Sequence, residues 1–204
     1  MADGRTLLIA CGALARETLA VVEASGLSHL DVTCVAALLH NRPERIPEAV
    51  RAKIREHRPH YARILVLYGD CGTGGELDRV QAEEGVERIA GPHCYAFYAG
   101  QEVFDALADA EPGTFYLTDF LVRQFDAFVW RPLGLDRHPE LLPLYFGNYR
   151  RLVYLAQTED AGLEAQARAA AERLGLAYER RFPGYGDLGR SLAGWISQTD
   201  ESVA

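Results

Sequence analysis

The chain has 204 residues, 49% apolar and 25% charged, the balance of a globular protein with a core of its own rather than of a disordered or fibrous one. A net charge of -8, with no stripe of Lys and Arg along any segment, argues against nucleic acid or an anionic membrane as partner. No run approaches the ~18 consecutive apolar residues of a membrane span, and the 4 cysteines do not read as a disulfide framework in a chain long enough to need no staples.

Strand and helix patterns alternate. Thr6–Ala10 reads as a strand and Leu14–Ala24 as a helix closed by Gly26. Asp31–Leu38 is the next strand, and Pro43–Glu56 a helix with Ile46, Ala49, Val50 and Ile54 at three-to-four spacing. Ala62–Tyr68 has the unbroken apolar character of a fully buried strand. Gly75–Glu84 is helical and stops at Gly85; Val86–Ile89 reads as strand and Ala96–Leu107 as helix, before the break at Pro112-Gly113.

The second half is less regular. Thr114–Val129 reads as a strand followed by a helix, its Phe115, Phe120, Phe125 and Phe128 forming a core stripe. A helix opens at His138-Pro139-Glu140, with Pro at a first helical position, and runs to about Tyr149. Arg151–Ala156 is a strand, Ala161–Leu174 an Ala-rich helix ended by Gly175, Ala177–Phe182 an edge strand and Leu188–Ile196 a last helix. Repeated βα units predict an α/β fold. The expectation is one Rossmann-like domain over 1–204, its ordered core about 5–196, with a doubly wound, mostly parallel sheet and helices on both faces.

Three cysteines stand where strands run into turns: Cys11 before Gly12, Cys71 between Asp70 and Gly72, and Cys94 after His93. In an open α/β sheet, ligands bind beyond the carboxyl ends of the strands. Three thiolates delivered to that edge suit a zinc ion or an iron–sulfur cluster, because soft donors select those metals. Three protein ligands with an open fourth position is the catalytic rather than the structural pattern for zinc. His40, after the second strand, and His93 are candidates for that position or for proton transfer. Cys34 lies inside an apolar run and reads as a small buried hydrophobe. Glu17 reads more readily as part of a solvated helix face than as part of a site.

The loop Gly69-Asp70-Cys71-Gly72-Thr73-Gly74-Gly75 is the strongest local signal. Its glycines, with Thr73, form a candidate cofactor cradle (Gly69, Gly72, Thr73, Gly74, Gly75) ahead of a helix N-terminus, which would bind an anion and lower the Cys71 pKa. It lacks the Lys-Ser/Thr pair of a P-loop and the G-x-G-x-x-G spacing, and no G-x-S-x-G elbow supports a serine triad. A metal-free alternative makes Cys71 a catalytic nucleophile with His93 or His40 as base. A third reading is a non-catalytic binding or accessory protein. His138, with Asp136 and Glu140, is explained by helix capping, and Tyr95, Tyr98 and Tyr116 are pocket or core in equal measure. Leu8-Ile9-Ala10-Cys11 resembles a lipoprotein cleavage box, but its apolar stretch is far short of the roughly 7–15 residues a secretory core needs. A reducing cytoplasm is the expected setting, where turn cysteines serve metals or catalysis.

Together, Ala10-Cys11-Gly12-Ala13-Leu14, Leu39-His40-Asn41-Arg42-Pro43-Glu44, Tyr68-Gly69-Asp70-Cys71-Gly72, Gly91-Pro92-His93-Cys94-Tyr95, Gly113-Thr114-Phe115-Tyr116-Leu117-Thr118-Asp119 and Leu135-Asp136-Arg137-His138-Pro139 resemble the bacterial and archaeal family called domain of unknown function 1638. The resemblance spans roughly 5–195 and carries no established activity. It implies a neighbourhood of corrinoid-dependent methyltransferases of methylamine metabolism. The expected partners are then a small-molecule ligand and a corrinoid protein or methyltransferase, with a corrinoid as a further candidate cofactor.

Overall fold

A computed structural model describes residues 3–88, 94–190, 192 and 194. The chain divides into two compact units, one formed by residues 1–97 and 187–204, the other by 98–186. Each is built on its own sheet, and both sheets are entirely parallel. The α/β, Rossmann-like reading holds, with the strands distributed over two sheets rather than gathered in one.

The first unit has strands β1 (Asp3–Cys11), β2 (Leu30–Val35), β3 (Tyr61–Leu67) and β4 (Glu87–Arg88) in the order β2-β1-β3-β4. Leu7, Leu8, Ile9 and Ala10 are buried, as are Ile64 to Leu67, because a central parallel strand meets protein on both faces and therefore reads as a continuous apolar run. Helices α1 (Ala15–Ala24) and α2 (Ile46–His57) pack on β1 and β2. α2 turns Ile46, Val50 and Ile54 inward on one stripe. α3 (Glu76–Glu84) ends at Gly85 in the left-handed conformation that favours glycine. The second strand stops earlier than its apolar run suggests: after Val35 the chain winds into a 3-10 turn, Ala37–Asn41, which carries His40.

The order of strands creates a switch point. The chain leaves β1 for β2 on one side, then returns past β1 to β3 on the other. The crevice beyond the carboxyl ends of β1 and β3 is where such sheets hold ligands.

α4 (Cys94–Ala99) and α5 (Gln101–Ala110) replace the single helix expected over Ala96–Leu107, broken at Gly100 with φ 84°. The second unit orders its strands β5 (Thr114–Thr118), β6 (Arg151–Leu155) and β7 (Ala177–Arg181) in sequence. α8 (Ala161–Leu174) covers β6 and β7 through Leu163, Ala167, Ala170, Ala171 and Leu174, a one-sided apolar stripe. Asp160 caps its start by accepting from the Gly162 and Leu163 N–H groups at 2.8 and 3.1 Å, and Gly175 ends it with φ 73°. α6 (Asp119–Arg123) follows β5, and a π-helical turn, Asp126–Trp130, stands where a plain α-helix was expected. The segment opened by Pro139 is a 3-10 turn leading into the short α7 (Leu142–Phe146).

Fully buried Asp119 ties β5 to β6. It accepts from the Tyr154 hydroxyl at 2.7 Å, from the Gln157 N–H at 2.9 Å and from the Thr158 N–H at 3.2 Å, while its own N–H donates to Gln157. A buried carboxylate so fully engaged is a structural clamp. The last expected helix, Leu188–Ile196, lies in part outside the described residues.

Candidate functional site

Cys11 is the last residue of β1, 7% exposed, and caps a short 3-10 turn, Gly12–Leu14. Gly12 is required there: a Cβ would lie 3.0 Å from the Ala37 nitrogen and from the Val35 oxygen, so the turn passes directly against the end of β2. Cys71 follows β3 in a tight turn in which the Thr73 N–H donates to the Asp70 oxygen at 3.0 Å. Both central residues of that turn have positive φ, 49° at Cys71 and 83° at Gly72. Cys71 is the one non-glycine residue of positive φ among the described residues. Turns of this kind favour Gly, Asn or Asp at both central positions, so a cysteine there is held against its backbone preference. Cys94 opens α4.

The three thiols meet electrostatically. The Cys94 N–H donates to the Cys71 sulfur, each of Cys11 and Cys71 raises the pKa of the Cys94 thiol, and Cys11 raises that of Cys71. Burial is nonetheless the largest influence on every one of them. It pushes Cys71 up to about 12, Cys94 well above the ordinary thiol value and Cys11 upward, although the Tyr68 hydroxyl and the Ala13 N–H hold Cys11 down. Helix α3 does not activate Cys71 as expected, because the glycine amides of the preceding loop are already engaged. The Asp70 carboxylate accepts from the Thr73 hydroxyl at 2.6 Å and from the Gly75 and Gly74 N–H groups at 2.9 and 3.2 Å, which holds its own pKa low. Of the cradle read at Gly69, Gly72, Thr73, Gly74 and Gly75, the Thr73 hydroxyl and the Gly74 and Gly75 N–H groups are thus turned onto the protein's own Asp70 carboxylate. Among the described residues, Arg88 and the Cys94 N–H favour the Cys71 thiolate, and burial outweighs them.

Two further groups face the thiols. Tyr68 is 1% exposed, and among the described residues its hydroxyl has no hydrogen bond of ordinary geometry; the Cys11 sulfur is the polar group that influences it most. Glu17 is 4% exposed on α1 and its charge raises the Cys94 thiol, so the solvated face expected for it is in fact turned inward. The cation at this edge is Arg88, which donates to the Tyr68 carbonyl at 2.8 Å, pairs with Asp78 and favours the Cys71 thiolate. Sequence reasoning missed Tyr68 and Arg88. A tyrosine closing an otherwise aliphatic strand was the one available signal.

His40 is largely exposed at the carboxyl end of β2, where surrounding protein still lowers its pKa by desolvation, and it is not among the principal groups shifting the thiols. His93 lies outside the described residues. Cys34, opposite Ala10, is half-buried rather than core, and its thiol responds to Cys11. All four cysteines are free. Among the described residues, no group of three or more His, Cys, Asp or Glu side chains stands as a preformed metal cage. A cleft of about 380 Å³ borders the loop after Cys71, lined by Pro43, Glu48, Arg51, Gly72, Thr73 and Arg79.

These features define a parallel α/β protein whose switch-point edge carries one buried and two partly buried cysteines instead of a phosphate loop. No helix among the described residues is long and apolar enough to cross a membrane. The chain belongs to the family described as protein of unknown function DUF1638, whose model matches residues 34–192. That match includes His40, Cys71, His93 and Cys94 but begins after Cys11. No curated protein and no solved structure matches the chain.

Proposed function

We propose that this chain binds a metal, a zinc ion or a small iron–sulfur cluster, through Cys11, Cys71 and Cys94, leaving one position open to a small-molecule ligand. What supports the reading is that three cysteines, each following a strand of the switch-point sheet, influence one another's titration electrostatically. The donor set fits such a group. Soft thiols with a buried hydroxyl and a buried carboxylate beside them gain from a cation that replaces their protons. Tyr68, facing the Cys11 sulfur with no ordinary hydrogen bond among the described residues, suits an outer hydrogen-bond donor to a coordinated thiolate. The strained backbone at Cys71 is the kind of feature that functional sites retain.

Bound there, zinc would supply Lewis acidity and a cluster would supply electron transfer. The chain's own residues hold the thiols, exclude water from them and offer the cleft beside Gly72 and Thr73 as an approach. Such thiols need a reducing compartment, in keeping with a cytoplasmic protein. A corrinoid protein or its methyltransferase, the partner implied by family resemblance, would meet the open position. A non-catalytic carrier shares the same site and differs only in lacking turnover.

The test is metal and acid-labile sulfide analysis of protein purified anaerobically without chelators. Near-stoichiometric zinc, or iron with sulfide, supports the proposal. Metal-free protein that resists anaerobic reconstitution refutes it.

A further inference from the structure

The second unit carries a cavity of about 590 Å³ over one face of its sheet, within the size range of small-molecule sites. Parallel sheets are normally apolar on both faces. Here the register places Thr114, Arg151 and Ala177, then Tyr116, Val153 and Glu179, then Thr118, Leu155 and Arg181 in rows on the cavity side. A chain of charges therefore crosses the cavity. Arg151 donates to Glu111 at 2.7 Å and to Glu179 at 2.9 Å, and Arg181 donates to Glu179 at 2.7 Å.

These bonds use Nε and one Nη of Arg151 and only Nε of Arg181. The second Nη of Arg151 and both Nη groups of Arg181 have no other bond among the described residues. The two glutamates fix the arginines as oriented forks, the geometry that pairs with a carboxylate. Arg150, also lining the cavity, brings the guanidinium groups to one more than the carboxylates, a surplus of a single positive charge. The floor is apolar, formed by Val153, Leu107 and the buried ring of Tyr116.

We infer that this cavity is a binding site for a small organic monocarboxylate, its carboxylate held by Arg181 and Arg150 and its apolar body resting on Val153 and Tyr116. The single surplus charge and the apolar floor select that class over a dianion, and the oriented guanidinium groups select it over a cation.

The test is an amide NMR titration of the full chain with propionate and benzoate, against inorganic phosphate and propylamine. The carboxylates are expected to give saturable shifts at Gly113, Thr114, Asn148 and Glu179, and Arg181→Gln to weaken binding about tenfold or more, the effect of losing a charge-assisted contact. Ala110→Trp, an exposed site at the cavity lining, puts an indole into the space while leaving every residue of the ion-pair chain in the sequence, and is expected to abolish binding; it decides the question if Arg181→Gln does not fold. Absence of saturable shifts, equal or tighter binding of phosphate, or carboxylate binding unaltered in the folded variants would each overturn the assignment.

Discussion

The backbone at Cys71 makes a quantitative test of why a cysteine stands there. Cys71→Ala and Cys71→Gly both remove the sulfur, but only glycine accepts φ 49° without penalty. A non-glycine residue in the left-handed region pays about 1–2 kcal/mol, and glycine's greater freedom in the unfolded chain returns about 0.4–1 kcal/mol of that advantage. Glycine is therefore expected to be the more stable by about 0.7 kcal/mol. With a urea slope of roughly 2 kcal/mol/M, its midpoint should lie about 0.3 M above that of alanine. Urea unfolding followed by far-UV circular dichroism, with chelator present so that metal does not contribute, reads the difference. Equal midpoints, or a higher one for alanine, would mean that residue 71 is not left-handed in solution and that its retention needs no functional reason.

Other consequences can be measured in the same way. Tyr68→Phe removes a buried hydroxyl that has no ordinary hydrogen bond among the described residues, so the metal-free protein should be no less stable, whereas equilibrium dialysis should show zinc bound roughly tenfold more weakly. Asp70→Asn should lower stability by about 1 kcal/mol at neutral pH, where the carboxylate caps its loop. The folded Asp70 pKa lies below the unfolded value, so this contribution is present above the unfolded pKa and lost as pH falls through the folded one; the two proteins should converge in acid unfolding once pH lies below the folded pKa. Asp119→Ala should destabilise by about 4 kcal/mol in chemical denaturation, because the Tyr154 hydroxyl and the Gln157 and Thr158 N–H groups lose their buried acceptor. Gly186→Ala should be at least as damaging, since its Cβ would fall 1.7 Å from the Tyr98 carbonyl oxygen.

The parallel α/β character was legible because buried strands and amphipathic helices alternate with different periods, as in Leu7 to Ala10 and α2. The division into two sheets was not, since strand pairing depends on contacts that no local pattern records. Likewise, Gly100 broke a helix that its flanking apolar residues continued on paper, and Val35 ended a strand whose apolar run went on to Leu38. The three turn cysteines stood out in the sequence because each follows a strand, and parallel strands bring their carboxyl ends to one edge. Glu17 was misread because one carboxylate on a helix says nothing about which way the helix turns. The Cys71 pKa was misjudged for a different reason: an adjacent helix start lowers a thiol only when its amides are unoccupied, and Asp70 occupies the loop amides. The charged face of β7 was passed over because Glu179 and Arg181 look like an exposed edge until the register aligns them with Val153 and Leu155.

The central claim is that Cys11, Cys71 and Cys94 serve one site. The most direct measurement is the metal content of Cys11→Ser, Cys71→Ser and Cys94→Ser beside the parent protein, all prepared anaerobically, with folding checked by circular dichroism. The account predicts near-stoichiometric metal in the parent and a marked loss in each of the three folded variants. Metal retained in full by any one of them, or absent from the parent after reconstitution, would contradict a shared three-thiol centre.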